Sequence, residues 1–263
     1  MKREIWNVEC AIRNSPCQIP HSTFLILTLA LATPTLASAQ TAAPRVYVSV
    51  NGGIQRSDNT VSQSFSVPKN LEDAPIKANA DEKRGVLVDG GLMLRLAGHF
   101  GVGFALSFLT DDSDATVTAS IPHPFFFSRL RSIEGTTAMT RRETAGHIQA
   151  VYIVPGPRLD VILSGGPSLF TLRQTLVTDV TYSESFPFDT ATFTGTHSAE
   201  STSKTATGFN IGGDVTWKLS RTVGVGGMVR FARAQATLNA TNNPALDVDV
   251  GGIQVGGGIR FAF

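Results

Sequence analysis

The stretch Ile253-Gln254-Val255-Gly256-Gly257-Gly258-Ile259-Arg260-Phe261-Ala262-Phe263 decides the fold. Ile253, Val255, Gly257, Ile259, Phe261 and Phe263 fall on one parity, and Gln254, Gly256, Gly258, Arg260 and Ala262 on the other. Such alternation is a strand with one apolar face and one small or polar face. With this strand last in the chain, its apolar face is expected to find its cover outside the polypeptide. Lipid is the simplest cover.

The same pattern recurs upstream. Val46, Val48 and Val50 alternate with Tyr47, Ser49 and Asn51 in a first strand over Arg45–Gln55. A second, Val86–Leu96, sets Val86, Val88, Leu92, Leu94 and Leu96 against Leu87, Asp89, Gly91, Met93 and Arg95. In the third, Phe100, Val102, Phe104, Leu106 and Phe108 oppose Gly101, Gly103, Ala105 and Ser107. A face of glycine, alanine and serine cannot form a soluble core, so the large residues are expected to face lipid. Thr144–Val154, a fifth strand from Asp160, Phe209–Leu219 and Val223–Phe231 complete eight strands with the last. The phase of the fifth beyond Pro167 is open between a bulge and a strand that projects past the membrane.

Short links at Ala97-Gly98-His99, Pro155-Gly156-Pro157-Arg158 and Ser220-Arg221-Thr222 alternate with long ones at 56–84, 110–142 and 178–204. A shorter link lies around Asn239–Ala245. Tight turns therefore gather on one side and long loops on the other. Outward aromatics fall at two heights, with Phe100, Tyr152, Trp217, Phe261 and Phe263 toward the turns and Phe108, Phe209 and Phe231 toward the loops. Two aromatic girdles are expected of a chain that spans a bilayer. The expected fold is all-β, an eight-stranded antiparallel up-and-down transmembrane β-barrel.

Composition agrees with this reading. The 263 residues are 16% charged and include 25 glycines, and no apolar run approaches the ~20 residues of a spanning helix. Phe24–Ala32, then Pro34 and Ala37-Ser38-Ala39, read as a secretory signal cleaved after Ala39, leaving a domain at 40–263. The leader before it is long, and a start codon placed upstream of the true one accounts for its length. Cys10 and Cys17 both lie in the leader, so cysteine offers the mature chain no disulfide, metal site or nucleophile. Removing Lys2, Arg3, Arg13, Glu4 and Glu9 from 22 basic and 21 acidic residues leaves 19 of each. Such neutrality gives no argument for nucleic acid.

The inward parity carries Asp89, Arg95, Asp214, Lys218, Arg230 and Arg260. Charges in a narrow barrel must be paired or hydrated. They are expected to form an ion-pair network that fills a small lumen, or to line a narrow gated pore. Arg230 lies nearest mid-height, with Asp214 and Asp89 as partners. His147, with Ser107 or Ser168, is the best base and nucleophile pair for a hydrolase, yet no acidic orienter follows from the spacing. In the second long connection, His123-Pro124-Phe125-Phe126-Phe127 either clamps onto Phe186-Pro187-Phe188 of the next loop or presents an apolar interaction patch.

The C-terminal pattern and the loop asymmetry resemble the small outer-membrane β-barrels of the OmpA-like and opacity-protein-like group. The resemblance implies a bacterial outer-membrane location, periplasmic turns and extracellular loops. It also implies handling by periplasmic chaperones and insertion by the barrel-assembly machinery, with Ile259, Phe261 and Phe263 as the assembly signal. Outer-membrane lipid, lipopolysaccharide and an unidentified external ligand are the expected partners. No cofactor, metal or catalytic residue is expected. The expected role is structural or surface-interacting. The alternatives are a narrow channel or hydrophobic-solute conduit, and an outer-leaflet lipid hydrolase.

Overall fold

The computed structural model describes residues 44–200, 203–238 and 245–263. The signal peptide expected over 1–39 lies outside them. Nine strands follow one another: β1 (Val46–Lys69), β2 (Glu72–Ala97), β3 (Phe100–Pro122), β4 (Leu130–Val154), β5 (Leu159–Glu184), β6 (Ala191–Glu200), β7 (Lys204–Lys218), β8 (Val223–Leu238) and β9 (Leu246–Ala262). Each pairs antiparallel with its neighbours, and β9 returns to β1 to close the ring. β7 pairs with Leu159–Leu172 of β5, and β6 continues alongside Thr175–Glu184 of the same strand. Together β6 and β7 fill one place in the wall, so the ring has eight.

The residue types dictate which way the wall faces. Along β3, Phe100, Val102, Phe104, Leu106 and Phe108 are exposed on the outside, while Gly101, Gly103, Ala105 and Ser107 turn inward. The nine residues from Phe100 to Phe108 match the ~9–11 of a tilted spanning strand. Above them the polarity inverts without a break in the strand. Thr110, Asp112, Asp114, Thr116 and Thr118 now face out, and Ala115, Val117, Ala119 and Ile121 face in.

This corrects the expectation of long loops. Segments 56–84, 110–142 and 178–204 are mostly strand, forming the hairpins β1–β2, β3–β4 and β5–β6 that continue the wall past the apolar band. In β3 this adds about a dozen residues, roughly 40 Å measured along the strand. The physical reason is the change of solvent, because a wall in water puts its apolar side chains inside. In β2 a register shift between Ala80 and Val86 performs the exchange, since Ala74, Ile76, Ala78 and Ala80 are buried while Val86 and Val88 face out. β5 keeps its phase through Pro167 as far as Leu176, and its bulge comes later, between Val177 and Asp179.

The upper part therefore has a core of its own. Phe65, Val67, Ile76, Val117, Ile121 and Ile133 on β1–β4 meet Val177 and Val180 of β5. Each large side chain buried there contributes about 1.5–3 kcal/mol. Below, Phe170, Leu172, Leu176 and Met139 pack with alanines of β8 and with Val248 and Val250 of β9. Close strand approach explains two glycines. A Cβ on Gly258 would lie 1.8 Å from the Val50 carbonyl oxygen. Gly251 takes φ 92°, near where β9 parts from β1 above the last paired residues, Arg56 and Ile253.

Candidate functional site in the lumen and at the crest

Inside the apolar band the lumen is crossed by side-chain hydrogen bonds from facing walls. Arg230 of β8 ion-pairs with Asp89 of β2, and its Nε donates to Gln254 Oε1 at 2.6 Å. Gln254 donates to Gln55 Oε1 at 2.7 Å, and Gln55 to Glu143 Oε2 at 3.1 Å. Glu143 also takes the Arg141 guanidinium at 2.6 Å, and Asn51 donates to Asp89 at 3.1 Å. Five strands are thereby tied together by a chain in which every link but the amide–amide bond between Gln254 and Gln55 is charge-assisted, the stronger class of hydrogen bond.

A second set lies toward the turns. Arg260 holds Asp214 through Nε at 3.0 Å and Nη2 at 2.5 Å, and Thr216 donates to the same carboxylate at 3.1 Å. Beneath it Tyr47, Val151, Ile153 and Ile162 form an apolar layer. The space lined by Asn51, Asp89, Met93, Gln149 and Arg230 measures about 30 Å³, room for roughly one or two waters. The described lumen is packed rather than open.

Of the charges expected inside, Asp89, Asp214, Arg230 and Arg260 meet there, with Arg230 choosing Asp89 and leaving Asp214 to Arg260. Lys218 is displaced to the turn-side rim, where it pairs with Asp160 at 2.8 Å and donates to the Gly156 carbonyl at 3.0 Å. Arg95 is no lumen partner either, for its Nε donates to the Gly98 carbonyl in its own turn. Both are long side chains on the last inward positions, and they reach out to turn carbonyls and water. Sequence reasoning missed Arg141 because its segment, 110–142, read as loop, and Glu143 because it fell between that loop and the strand expected from Thr144. Gln55 and Gln254 lay on the inward parity but carry no charge to single them out. Asp111, above the band and in register with Arg141, has its carboxyl pushed up by burial more than Arg141 pulls it down.

His147 does sit between both candidate serines. Its Nε2 is 3.0 Å from Ser107 Oγ and its Nδ1 is 2.8 Å from Ser168 Oγ. Asn210 donates to Ser168 at 2.8 Å, and Gln149 donates to Asn210 at 2.7 Å. Both ring nitrogens are thus used on hydroxyls, and the imidazole is fully buried against Phe170.

At the far end, the tips of the three tall hairpins converge. Asn70 donates to the Pro122 carbonyl at 2.9 Å, and the Ser128 N–H donates to Glu72 at 2.8 Å. Arg131, buried, pairs with Glu184 and donates to the Pro122 and Phe188 carbonyls. His123 is buried beneath Phe126, with ring centroids 4.9 Å apart, and its Nδ1 accepts the Phe125 N–H. Phe125 meets Phe188 edge-on at 5.5 Å, Arg129 lies 5.7 Å above Phe126, and Arg129 pairs with Asp189 at 2.8 Å. These contacts clamp the two loops together. They nevertheless leave Phe125 69%, Phe126 57%, Phe127 75% and Phe186 84% exposed.

The aromatic tiers are on the outer wall, where Phe100, Tyr152 and Trp217 are exposed toward the turns and Phe108, Phe209 and Phe231 toward the extension. Phe100 stands in register with Tyr152 and packs against it at 5.2 Å. A closed antiparallel ring, hydrocarbon outward and ion pairs inward, defines an outer-membrane β-barrel. The chain belongs to the family described as outer membrane protein beta-barrel domain, whose pattern it matches over residues 23–261.

Among solved structures it is similar to the outer membrane protein OprG from Pseudomonas aeruginosa, at 12% identity and a TM-score of 0.48 over 86% of this chain and 99% of that one. It is also similar to Neisserial surface protein A, at 12% identity and a TM-score of 0.38 over 84% and 99%. A third is Ail, the attachment invasion locus protein of Yersinia pestis, in complex with a heparin analogue, at 10% identity and a TM-score of 0.34 over 82% and 99%. No curated protein matches the chain.

Proposed function

We propose that this outer-membrane barrel is a non-conducting, non-enzymatic stalk whose work is done at its crest, where it presents an aromatic surface to an external partner. The observation that carries the reading is the contrast between Phe125, Phe126, Phe127 and Phe186, all exposed, and the tied hairpin tips beneath them. A large apolar patch held on an ordered, water-facing support is characteristic of an interaction site. The packed lumen supports the absence of a pore. The burial of His147, with no carboxylate on either ring nitrogen, supports the absence of hydrolysis.

Cells displaying equal amounts of the wild type and of a Phe125→Ser, Phe126→Ser, Phe127→Ser variant are expected to differ severalfold in attachment to the surface they colonise. Both proteins should keep a folded barrel. In planar bilayers the wild type should give no stable conductance steps. Equal attachment, or steps that change on Arg230→Ala, would replace this reading with the channel.

One observation favours a conduit for hydrophobic solutes as the second reading. Above Arg56 and Ile253 the wall is split, and a cleft of about 380 Å³ opens there, lined by Phe231, Ala232, Val250 and Ile253 together with the charged Arg56, Arg233 and Asp249. Faster uptake of a short-chain alkane by expressing cells would put the conduit first.

A further inference from the structure

All three hairpin tips end in apolar side chains that the described residues leave largely uncovered. Leu71, at the tip of β1–β2, is 93% exposed. Phe127 heads the tip of β3–β4, with Phe125, Phe126 and Leu130 beside it, and Phe186 heads that of β5–β6. Cross-bonds among the tips hold these side chains as one platform.

The polar groups of the same loops are turned on one another. Pro122, Pro124 and Pro187 have no N–H to satisfy. The His123 N–H donates to the Arg129 carbonyl at 2.8 Å, and the Phe188 N–H to the Ser185 carbonyl at 2.7 Å. His123 accepts the Phe125 N–H and Glu72 that of Ser128, while the Pro122 carbonyl receives both Asn70 and Arg131. The cations are engaged in the same way, Lys69 with Asp179 at 2.7 Å, Arg129 with Asp189 and Arg131 with Glu184.

Free hydrocarbon beside satisfied polar groups selects the kind of partner. A protein interface carries about one hydrogen bond per 100–200 Å², and these loops have turned their donors and positive charges inward. Hydrocarbon makes the opposite demand, since a backbone that enters it must satisfy its polar groups internally. Side chains set apart on three tips would need three separate pockets in a protein, whereas a bilayer admits each where it stands. With Lys69, Arg129 and Arg131 neutralised, the crest complements an uncharged apolar slab rather than an anionic surface.

We infer that the crest docks by inserting its three tips into the bilayer of a facing membrane, through hydrocarbon and without a preferred headgroup. That membrane is a second one, because the tips lie roughly 40 Å of strand beyond the apolar band that holds the barrel. The inference rests on the crest being the working end and names what it meets.

The test holds the mature chain in phosphatidylcholine nanodiscs and floats them with protein-free phosphatidylcholine vesicles. The wild type should co-float. Adding phosphatidylserine to the vesicles, or raising salt from about 0.1 to 0.5 M, should change binding less than about twofold, since no basic contact is screened. Leu71→Ser with Phe127→Ser and Phe186→Ser removes the most exposed large apolar side chain of each tip. Binding should fall about a hundredfold or more, each side chain contributing about tenfold on leaving water. Phe127→Leu with Phe186→Leu should bind within a few-fold of the wild type. In a Phe127→Trp variant, brominated lipid carried only by the vesicles should quench the new indole and spare Trp217, which faces the nanodisc's own lipid.

A wild type that does not co-float, binding that requires phosphatidylserine, a triple variant that floats equally well, or an unquenched Phe127→Trp indole would each overturn the inference. So would nanodiscs that pair crest to crest without vesicles. If cell attachment still falls on Phe125→Ser, Phe126→Ser, Phe127→Ser while no vesicle is bound, the crest keeps its role and the bilayer is replaced by a protein or glycan. Attachment and vesicle binding both indifferent to these residues would remove the crest reading as well.

Discussion

Arg230→Ala is expected to destabilise the barrel by about 3–5 kcal/mol, the loss found when one member of a buried ion pair is removed. Asp89 is 3% exposed, so its carboxylate would keep Asn51 as its remaining partner at 3.1 Å. Gln254 would lose the Nε donor as well, leaving its carbonyl oxygen to compete for a water. The second half of the expectation is recovery: Asp89→Asn together with Arg230→Gln should restore most of the loss, because a neutral pair carries no desolvation debt. Urea unfolding in vesicles, followed through Trp217 near the turns, reads both values. A single variant that loses under about 1 kcal/mol would mean that the lumen is hydrated at this height and the pair is screened.

Ile76→Asp is expected to open the extension while leaving the membrane wall closed. Ile76 is fully buried in the upper core, and a carboxylate there has no partner to offset its burial, a cost of several kcal/mol. The upper hairpins are held by that core and by the bonds among their tips. The lower wall is held by its own lumen network and by lipid. Limited proteolysis of intact cells should therefore cut β1–β2 and β3–β4 above the apolar band, while the folded barrel keeps its anomalous migration on unheated gels. Loss of that migration would show that the two parts fold as one cooperative unit.

How far the sequence reveals this architecture depends on which solvent a residue faces. In the band, Phe100–Phe108 and Phe209–Leu219 alternate large and small so regularly that strand, face and height are all legible. Higher up, Val61, Phe65 and Val67 alternate with Thr60, Ser62, Ser64 and Ser66 just as regularly. The apolar parity there marks the inside, so a search for lipid-facing residues reads the segment as loop. The shift between Ala80 and Val86 in β2 hides the change further, because the apolar residues stay on even numbers while the face they mark is exchanged.

The lumen was legible at Asp89, Asp214, Arg230 and Arg260, charges on the inward parity within the band, while Arg95 and Lys218 on the same parity stand at its turn-side end and reach out of it. It was hidden wherever glutamine carried the link, where Arg141 fell inside a supposed loop, and where Glu143 fell between that loop and the expected start of the fourth strand. Partner choice between Asp89 and Asp214 depends on which walls face each other across the ring. Strand order alone does not give that.

The seam that closes the wall joins Tyr47–Arg56 to Ile253–Ala262, and Arg45 and Val46 both donate to the Phe263 carbonyl, at 2.7 and 3.1 Å. These two segments lie at opposite ends of the described polypeptide. The ring cannot be sealed until synthesis has delivered its final strand, and until then the first strand has one edge without a neighbour. Closure over so long a separation is slow, since its entropy must be lost before the bonds that reward it can form. Completion of the cylinder is therefore a late event in folding, and a deletion of only a few residues from Ile259–Phe263 should slow it far more than an equal deletion at the top of a hairpin.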